Sequence, residues 1–103
     1  MPNVVVRYRT KPERADENQA LVEKVFAELS ALGDTGFSYM SLRLEDDVSF
    51  VHIVVEHPGG GTVSLADVPA FQAFTADIAD RCEEQPVAMG GRVVGSHAFG
   101  LGA

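Results

Sequence analysis

The chain has no tryptophan, a single cysteine, and only eight lysines and arginines against fifteen aspartates and glutamates. Each shortage excludes something. The lone Cys82 has no partner for an internal disulfide, and its place in an apolar helical stripe makes it a small buried hydrophobe with nothing nearby to lower its pKa. A formal charge of −7 repels nucleic-acid phosphates and anionic lipid. Beyond Arg7 and Arg9 on one strand the basic residues do not cluster, so neither a nucleic acid nor a membrane is expected as a partner. No apolar run approaches the roughly 20 residues that span a bilayer, and no basic segment with a small-residue cleavage site opens the chain. A cytoplasmic location is therefore expected. Repeats, linkers and low-complexity stretches are also lacking, and 103 residues suit one domain with one core.

What is present is organised around residues 36–57, GFSYMSLRLEDDVSFVHIVVEH, which read as two strands folded on Asp46 and Asp47. A two-residue turn there sets Glu45 opposite Val48, Arg43 opposite Phe50, Ser41 opposite His52 and Tyr39 opposite Val54. One face is then Met40, Leu42, Leu44, Val51, Ile53 and Val55; the other mixes Tyr39, Phe50 and Val54 with Ser41, Arg43 and His52. The uniformly apolar face is the better partner for helices and is expected beneath them, with the mixed face left bare.

Upstream, Val4, Val6 and Tyr8 alternate with Val5, Arg7 and Arg9 in a first strand over residues 3–10. Pro12 suits the start of a helix to about residue 32, in which Leu21, Val22, Val25, Phe26, Leu29 and Leu32 recur at three- and four-residue spacing. Gly33 is expected to end it as an αL cap. Residues 58–61, Pro-Gly-Gly-Gly, read as a flexible loop able to serve as a lid, and they fit neither a Walker loop nor GxGxxG. Ser64 or Asp67 caps a second helix to about Glu83, which buries Leu65, Val68, Phe71, Phe74, Ile78 and Cys82. Pro86 separates this helix from a last strand over residues 87–99, whose three glycines imply a bulge or the close approach of another backbone.

The order β-α-β-β-α-β is the ferredoxin-like arrangement, an α+β fold in which a four-stranded antiparallel sheet carries both helices on one face. The bare face would then expose Tyr39, Phe50, Val54 and Val5. Burying such side chains is worth about 1.5 to 3 kcal/mol each, so a cover is required. A second copy packed about a twofold axis is the economical one, and a homodimer through the open sheet face is expected.

The segments VVVRYRTKPERADENQALVEKVFAEL, FVHIVVEH, LADVPAFQAFTADIADRCEEQPV and VVGSHAF together resemble small actinobacterial proteins of the dimeric α/β-barrel superfamily, near the antibiotic biosynthesis monooxygenases. The likeness runs over residues 3–99. It implies a dimeric α/β barrel and a cofactor-free monooxygenase acting on a small aromatic or polyketide-like metabolite, as relatives oxidise phenolic or anthrone-like compounds with molecular oxygen and no metal or flavin. The haem-degrading branch uses an asparagine, a tryptophan and a helix-borne histidine; this chain lacks tryptophan and has no histidine in its second helix. The quinone-forming branch often employs a tryptophan too, so no catalytic motif carries over residue by residue. The alternative is a non-catalytic dimeric module that binds a metabolite or has a structural role.

Cofactor-free oxygenation needs a base, an apolar pocket and a donor for the developing anion. His52, titrating near neutrality, is the base candidate; Arg43 is placed to hold a phenolate or carboxylate; Tyr39 to bind a carbonyl, with Ser41 opposite His52. The competing reading makes these four a polar network inside a dimer interface. His97, on one strand face with Val93 and Phe99, is expected either to line a pocket between sheet and helices, walled by Phe71 and Phe74, or to be a satisfied core histidine. His57 is expected in solvent. His52 and His57 lie five apart on a strand and point to opposite faces, so they cannot share one metal ion, and no metal or other cofactor is expected. Ser41 and His52 lack an acid that would complete a triad. Arg7 and Arg9 either steer an acidic substrate or pair with Glu45, Glu56 or a partner's carboxylate.

Overall fold

A computed structural model describes residues 3–61 and 63–99. The N-terminal alternation becomes strand β1, Asn3–Thr10. Pro12, with its fixed φ, opens a 3₁₀ turn, Pro12–Arg14, that leads into helix α1, Ala15–Leu32. The three- and four-residue spacing buries Val22, Val25 and Leu29, and Asn18 with them. At Gly33 φ is 78° but ψ is −132°, an extended conformation open to glycine and not the αL cap that the sequence suggests. The chain leaves the helix directly for a tight turn in which Asp34 accepts a hydrogen bond from the Gly36 amide.

Strands β2, Phe37–Arg43, and β3, Ser49–Glu56, pair in the expected register, with Tyr39 opposite Val54, Ser41 opposite His52 and Arg43 opposite Phe50. Their connection is longer than a two-residue turn. The last ladder bond runs from Leu44 N to Ser49 O, so Glu45 and Val48 belong to the loop, and the Asp46 carboxylate accepts from the amides of Val48 and Ser49. Loop residues 58–61 are tied down at their end: a Cβ on Gly36 would overlap the Gly61 main chain and the reverse holds, so the close backbone approach lies here. At Gly91 and Gly95, where the sequence suggested it, an added Cβ meets nothing.

The second helix is broken at Asp77 into α2, Pro69–Ala76, and α3, Ile78–Arg81. Strand β4, Cys82–Gly90, then begins and ends earlier than expected. Pro86 lies inside it and does not precede it, because β4 is an edge strand whose register against β1 shifts between Arg7 and Thr10. A bulge on an edge accommodates a residue with no N–H. The expected strand over 87–99 ends at Gly90; consecutive Gly90 and Gly91 weaken it, and after Gly91 N donates to Asn3 O, residues 91–99 have no regular structure. The sheet order is β2-β3-β1-β4, antiparallel throughout, which is the ferredoxin-like α+β topology.

The helices cover the face opposite to the expected one. Phe50 and His52 are 2% and 4% exposed, whereas Met40, Leu42, Val87 and Met89 are 38%, 45%, 63% and 70% exposed. Tyr8, Val22, Val25, Phe50, Phe74 and Cys82 form the core between sheet and helices. The mixed face can be buried because β1 adds Val4, Val6 and Tyr8 to it, because Phe26 and Phe74 pack on Tyr39 and His52, and because its polar atoms find partners on the helices. The uniformly apolar face of β2 and β3 is consequently the open one.

Candidate functional site

His52 projects from the middle of β3 into the layer between sheet and helices, and the candidate site is built around it. Its Nε2 lies 2.8 Å from Tyr8 Oη on β1, its Nδ1 lies 2.6 Å from Tyr39 Oη on β2, and Ser41 Oγ stands 3.4 Å from Nε2. Asn18 of α1 donates its amide hydrogen to Tyr8 Oη at 2.8 Å, and Arg81 of α3 donates from Nε to Asn18 Oδ1 at 3.1 Å. Arg81 is 1% exposed. Its Nη2 donates to the Phe74 carbonyl at 2.6 Å and its guanidinium lies 5.4 Å from the Phe74 ring centre, with no carboxylate in an ion pair among the described residues.

Counting hydrogens orders this chain. Arginine only donates, so Asn18 Oδ1 is the acceptor and its NH₂ faces Tyr8. The Tyr8 oxygen thus accepts, and since Tyr8 is 2% exposed and its hydroxyl has no other acceptor in reach among the described residues, its own hydrogen is assigned to His52 Nε2. The imidazole hydrogen then sits on Nδ1 and is given to Tyr39 Oη, whose hydrogen is left for a further acceptor. All bonds run one way, outward from the buried cation. Burial holds His52 neutral, lowering its pKa from 6.5 to about 4, so it does not titrate near neutrality as expected. Burial also raises both tyrosines, with the Asn18 hydrogen bond partly opposing this at Tyr8.

Tyr39, Ser41 and His52 are thus gathered in one place, under α1. Arg43 is nearby but committed: Nη1 donates to Gln19 Oε1 at 2.7 Å and Asp16 Oδ1 at 3.1 Å, and Nε to the Asp47 carbonyl at 3.0 Å. A cleft of about 280 Å³ between α1 and edge strand β2 is lined by Gln19, Val22, Glu23, Phe26, Ser41, Arg43 and Phe50. On the other side of Phe26 a second cleft of about 240 Å³ reaches Tyr39 and Phe37. Phe74 occupies the space beside His52 and Tyr8, with ring centres 5.4 and 6.3 Å away, and Phe71 packs on Phe74 at 5.9 Å.

His97 is exposed in the irregular segment, neither in the core nor facing the helices, because the strand that would have carried it ends at Gly90. His57 is not in solvent but half-buried, with Nε2 2.7 Å from Ser38 Oγ. His52 and His57 do face opposite sides of the sheet. Arg9 pairs with Glu83 and Glu84 at 3.5 and 3.0 Å, not with Glu45 or Glu56, since the bulged β4 runs alongside it. Tyr8, Asn18 and Arg81 were missed as site residues. An asparagine four residues before Val22 in the buried helical stripe, and a tyrosine on the same strand face as Val4 and Val6, were the available signals.

No protein-family model matches the sequence, and no curated protein matches it. Solved structures do match in fold. Rv0793 from Mycobacterium tuberculosis superposes with a TM-score of 0.68 at 12% identity, covering 93% of this chain and 97% of that one. A protein named antibiotic biosynthesis monooxygenase gives 0.65 at 14% identity over 92% and 100% of the two chains. A provisionally named antibiotic biosynthesis monooxygenase from Caulobacter crescentus gives 0.66 at 18% identity over 90% and 89%. At such identities the likeness establishes the fold.

A neutral buried His52 has a consequence for acid stability. Between pH 6.5 and 4 the unfolded chain binds a proton at this residue that the folded chain refuses, so stability is full above about 6.5 and falls as the pH drops toward 4, by up to roughly 3 kcal/mol. NMR titration of the His52 ring protons should give a midpoint about 4; a midpoint near 6.5 would contradict the burial account.

Proposed function

We propose that the chain is a cofactor-independent, monooxygenase-like protein that takes a small aromatic or polyketide-like metabolite in the cleft between α1 and β2. The observation that carries this reading is the one-directional hydrogen-bond chain that ends at His52 and Tyr39, directly behind that cleft. The likeness in fold to proteins named antibiotic biosynthesis monooxygenase supports the reaction class. A planar ring would lie between Phe26 and Phe50, both of which line the cleft. Its phenolic proton passes through Ser41 Oγ to His52 Nε2 once the Tyr8 hydrogen turns off that nitrogen, Arg43 Nη2, which makes no hydrogen bond among the described residues, stabilises the phenolate, and Tyr39 holds Nδ1 of the imidazolium from behind. In an anthrone-type substrate one atom of O₂ then becomes the new carbonyl, and the other leaves as water with two hydrogens of the oxidised carbon.

A second reading, a binding module without catalysis, is favoured by one observation: both His52 nitrogens are already engaged, and its pKa of about 4 makes it a weak proton acceptor. Oxygen uptake with dihydroxynaphthalene- and anthrone-type phenols separates the two. The enzyme reading expects uptake by wild type that drops about 100-fold in Ser41→Ala and in His52→Gln, the scale of lost general-base catalysis. Absence of uptake by wild type sinks the oxygenase; undiminished uptake by both variants removes His52 from the chemistry.

We also propose that the open sheet face, with Val5, Leu42, Leu44, Val87 and Met89 all exposed, packs against a second copy of the chain. Each large side chain covered contributes about 1.5 to 3 kcal/mol. Light scattering after size exclusion should give twice the 11.0 kDa chain mass, and Leu42→Arg with Met89→Arg should halve it. A wild-type monomer at micromolar concentration would contradict this assembly.

A further inference from the structure

The second cleft beside Phe26 has no part in the reading above. It and the cleft that holds Ser41 and Arg43 are successive stretches of one groove between α1 and edge strand β2. On the helix, Gln19, Val22 and Glu23 line the first stretch and Leu29, Ser30 and Gly33 the second, one row at three- and four-residue spacing. On the strand, Arg43 and Ser41 line the first and Tyr39 and Phe37 the second, alternate residues that share a face. Phe26, in the middle of the helical row, alone borders both. Its ring is half-buried and packs on the Tyr39 ring, with centres 4.7 Å apart and planes at 42°. Phe26 is thus a wall of each cleft and a cover over Tyr39.

Size decides what such a groove takes. At about 280 and 240 Å³ each cleft is smaller than the roughly 300 to 1,000 Å³ of ordinary small-molecule sites, whereas the two joined fall within that range. Tyr39 and Ser41 are two residues apart on β2, about 7 Å along the strand. A single ring seated at Ser41 therefore stays in the first cleft, and a fused three-ring system has to pass Phe26 and reach Tyr39. A helical phenylalanine has two open χ1 wells, so the ring can turn out of the groove while the backbone stays in place. We propose that Phe26 is a movable partition that sets the length of substrate the site accepts. One-ring phenols bind with Phe26 in place, between it and Phe50; three-ring phenols and anthrones bind with Phe26 turned out, their far ring stacked on Tyr39 in its stead. The long ligand replaces one ring contact with another, and its affinity is reduced only by the fraction of time the partition stands closed. The partition presupposes that substrate lies between α1 and β2, as proposed above, but not that it is oxidised there.

Because a one-ring ligand uses Phe26 as a wall and a three-ring ligand displaces it, removing the ring should act on the two in opposite directions. Equilibrium dialysis of the full chain against 4-cresol and against anthrone, under argon, reads binding without oxidation. Phe26→Ala should weaken 4-cresol about tenfold and tighten anthrone about tenfold. Phe26→Leu, which keeps apolar bulk on α1 and guards against loss of the fold, should move both in the same senses by smaller factors. In a chain without tryptophan, Phe26→Trp sets a sole indole at the partition; saturating anthrone should shift its emission to longer wavelength as the indole turns into water, and 4-cresol should not. Affinities that stay unchanged or move together in the variants, or an indole emission that saturating anthrone leaves in place, would overturn the partition while keeping the cleft as the binding site. Failure of wild type to bind either probe would overturn the placement of substrate and the partition with it. The expected inversion without oxygen uptake in air would uphold the partition and remove the oxygenase.

Discussion

Arg81 and His52 are buried between the sheet and the helices, and neither could stay there unpaired. A buried guanidinium without a carboxylate leaves a charge whose transfer from water is compensated only by hydrogen bonds and by the face of an aromatic ring. Here Phe74 supplies both its carbonyl and its ring, and Asn18 supplies its side-chain oxygen. The same asparagine passes a hydrogen to Tyr8, and Tyr8 and Tyr39 hold the two sides of the imidazole. Five elements meet in this chain: β1 through Tyr8, α1 through Asn18, β2 through Tyr39, β3 through His52 and α3 through Arg81. Removing one member strands a donor or acceptor in the core, which makes the docking of both helices depend on all of them.

That dependence also decides which face of the sheet is inside. Judged by apolar content alone, Met40, Leu42, Leu44, Val51, Ile53 and Val55 should be buried, and they are the face left open. The mixed face wins because its polar atoms are matched one by one, while its rings, Tyr8, Tyr39 and Phe50, pack against Phe26 and Phe74. The consequence is a more apolar exterior than the sequence reading anticipated. A surface built from Val5, Leu42, Val87 and Met89 is a stronger argument for a cover than the mixed face would have been.

The strand and helix order, the hairpin register and the stripe of α1 were legible because they follow from local alternation and spacing. Ser41 opposite His52 came from counting outward from Asp46 and Asp47, although the loop proved longer, since adding a residue to each side preserves the pairing. The choice of face was not legible, because Asn18 and Arg81 are 63 positions apart and a hydrogen bond between them leaves no periodic trace. Pro86 misled for a related reason: whether proline interrupts a strand depends on whether its neighbours need its N–H, which is settled by a bulge against β1. His97 was assigned to a strand that two glycines terminate. His57 was judged by its neighbours in sequence, whereas its partner, Ser38, is 19 positions away.

The direct test of this account is a double-mutant cycle between Tyr8→Phe and His52→Gln, read by urea unfolding at pH 7. If the buried chain is cooperative, either substitution alone strands its neighbour, and the double variant should lose less than the sum of the singles by about 1 kcal/mol or more. Losses that simply add would mean that Tyr8 and His52 are independent, and that the choice of sheet face rests on ring packing alone.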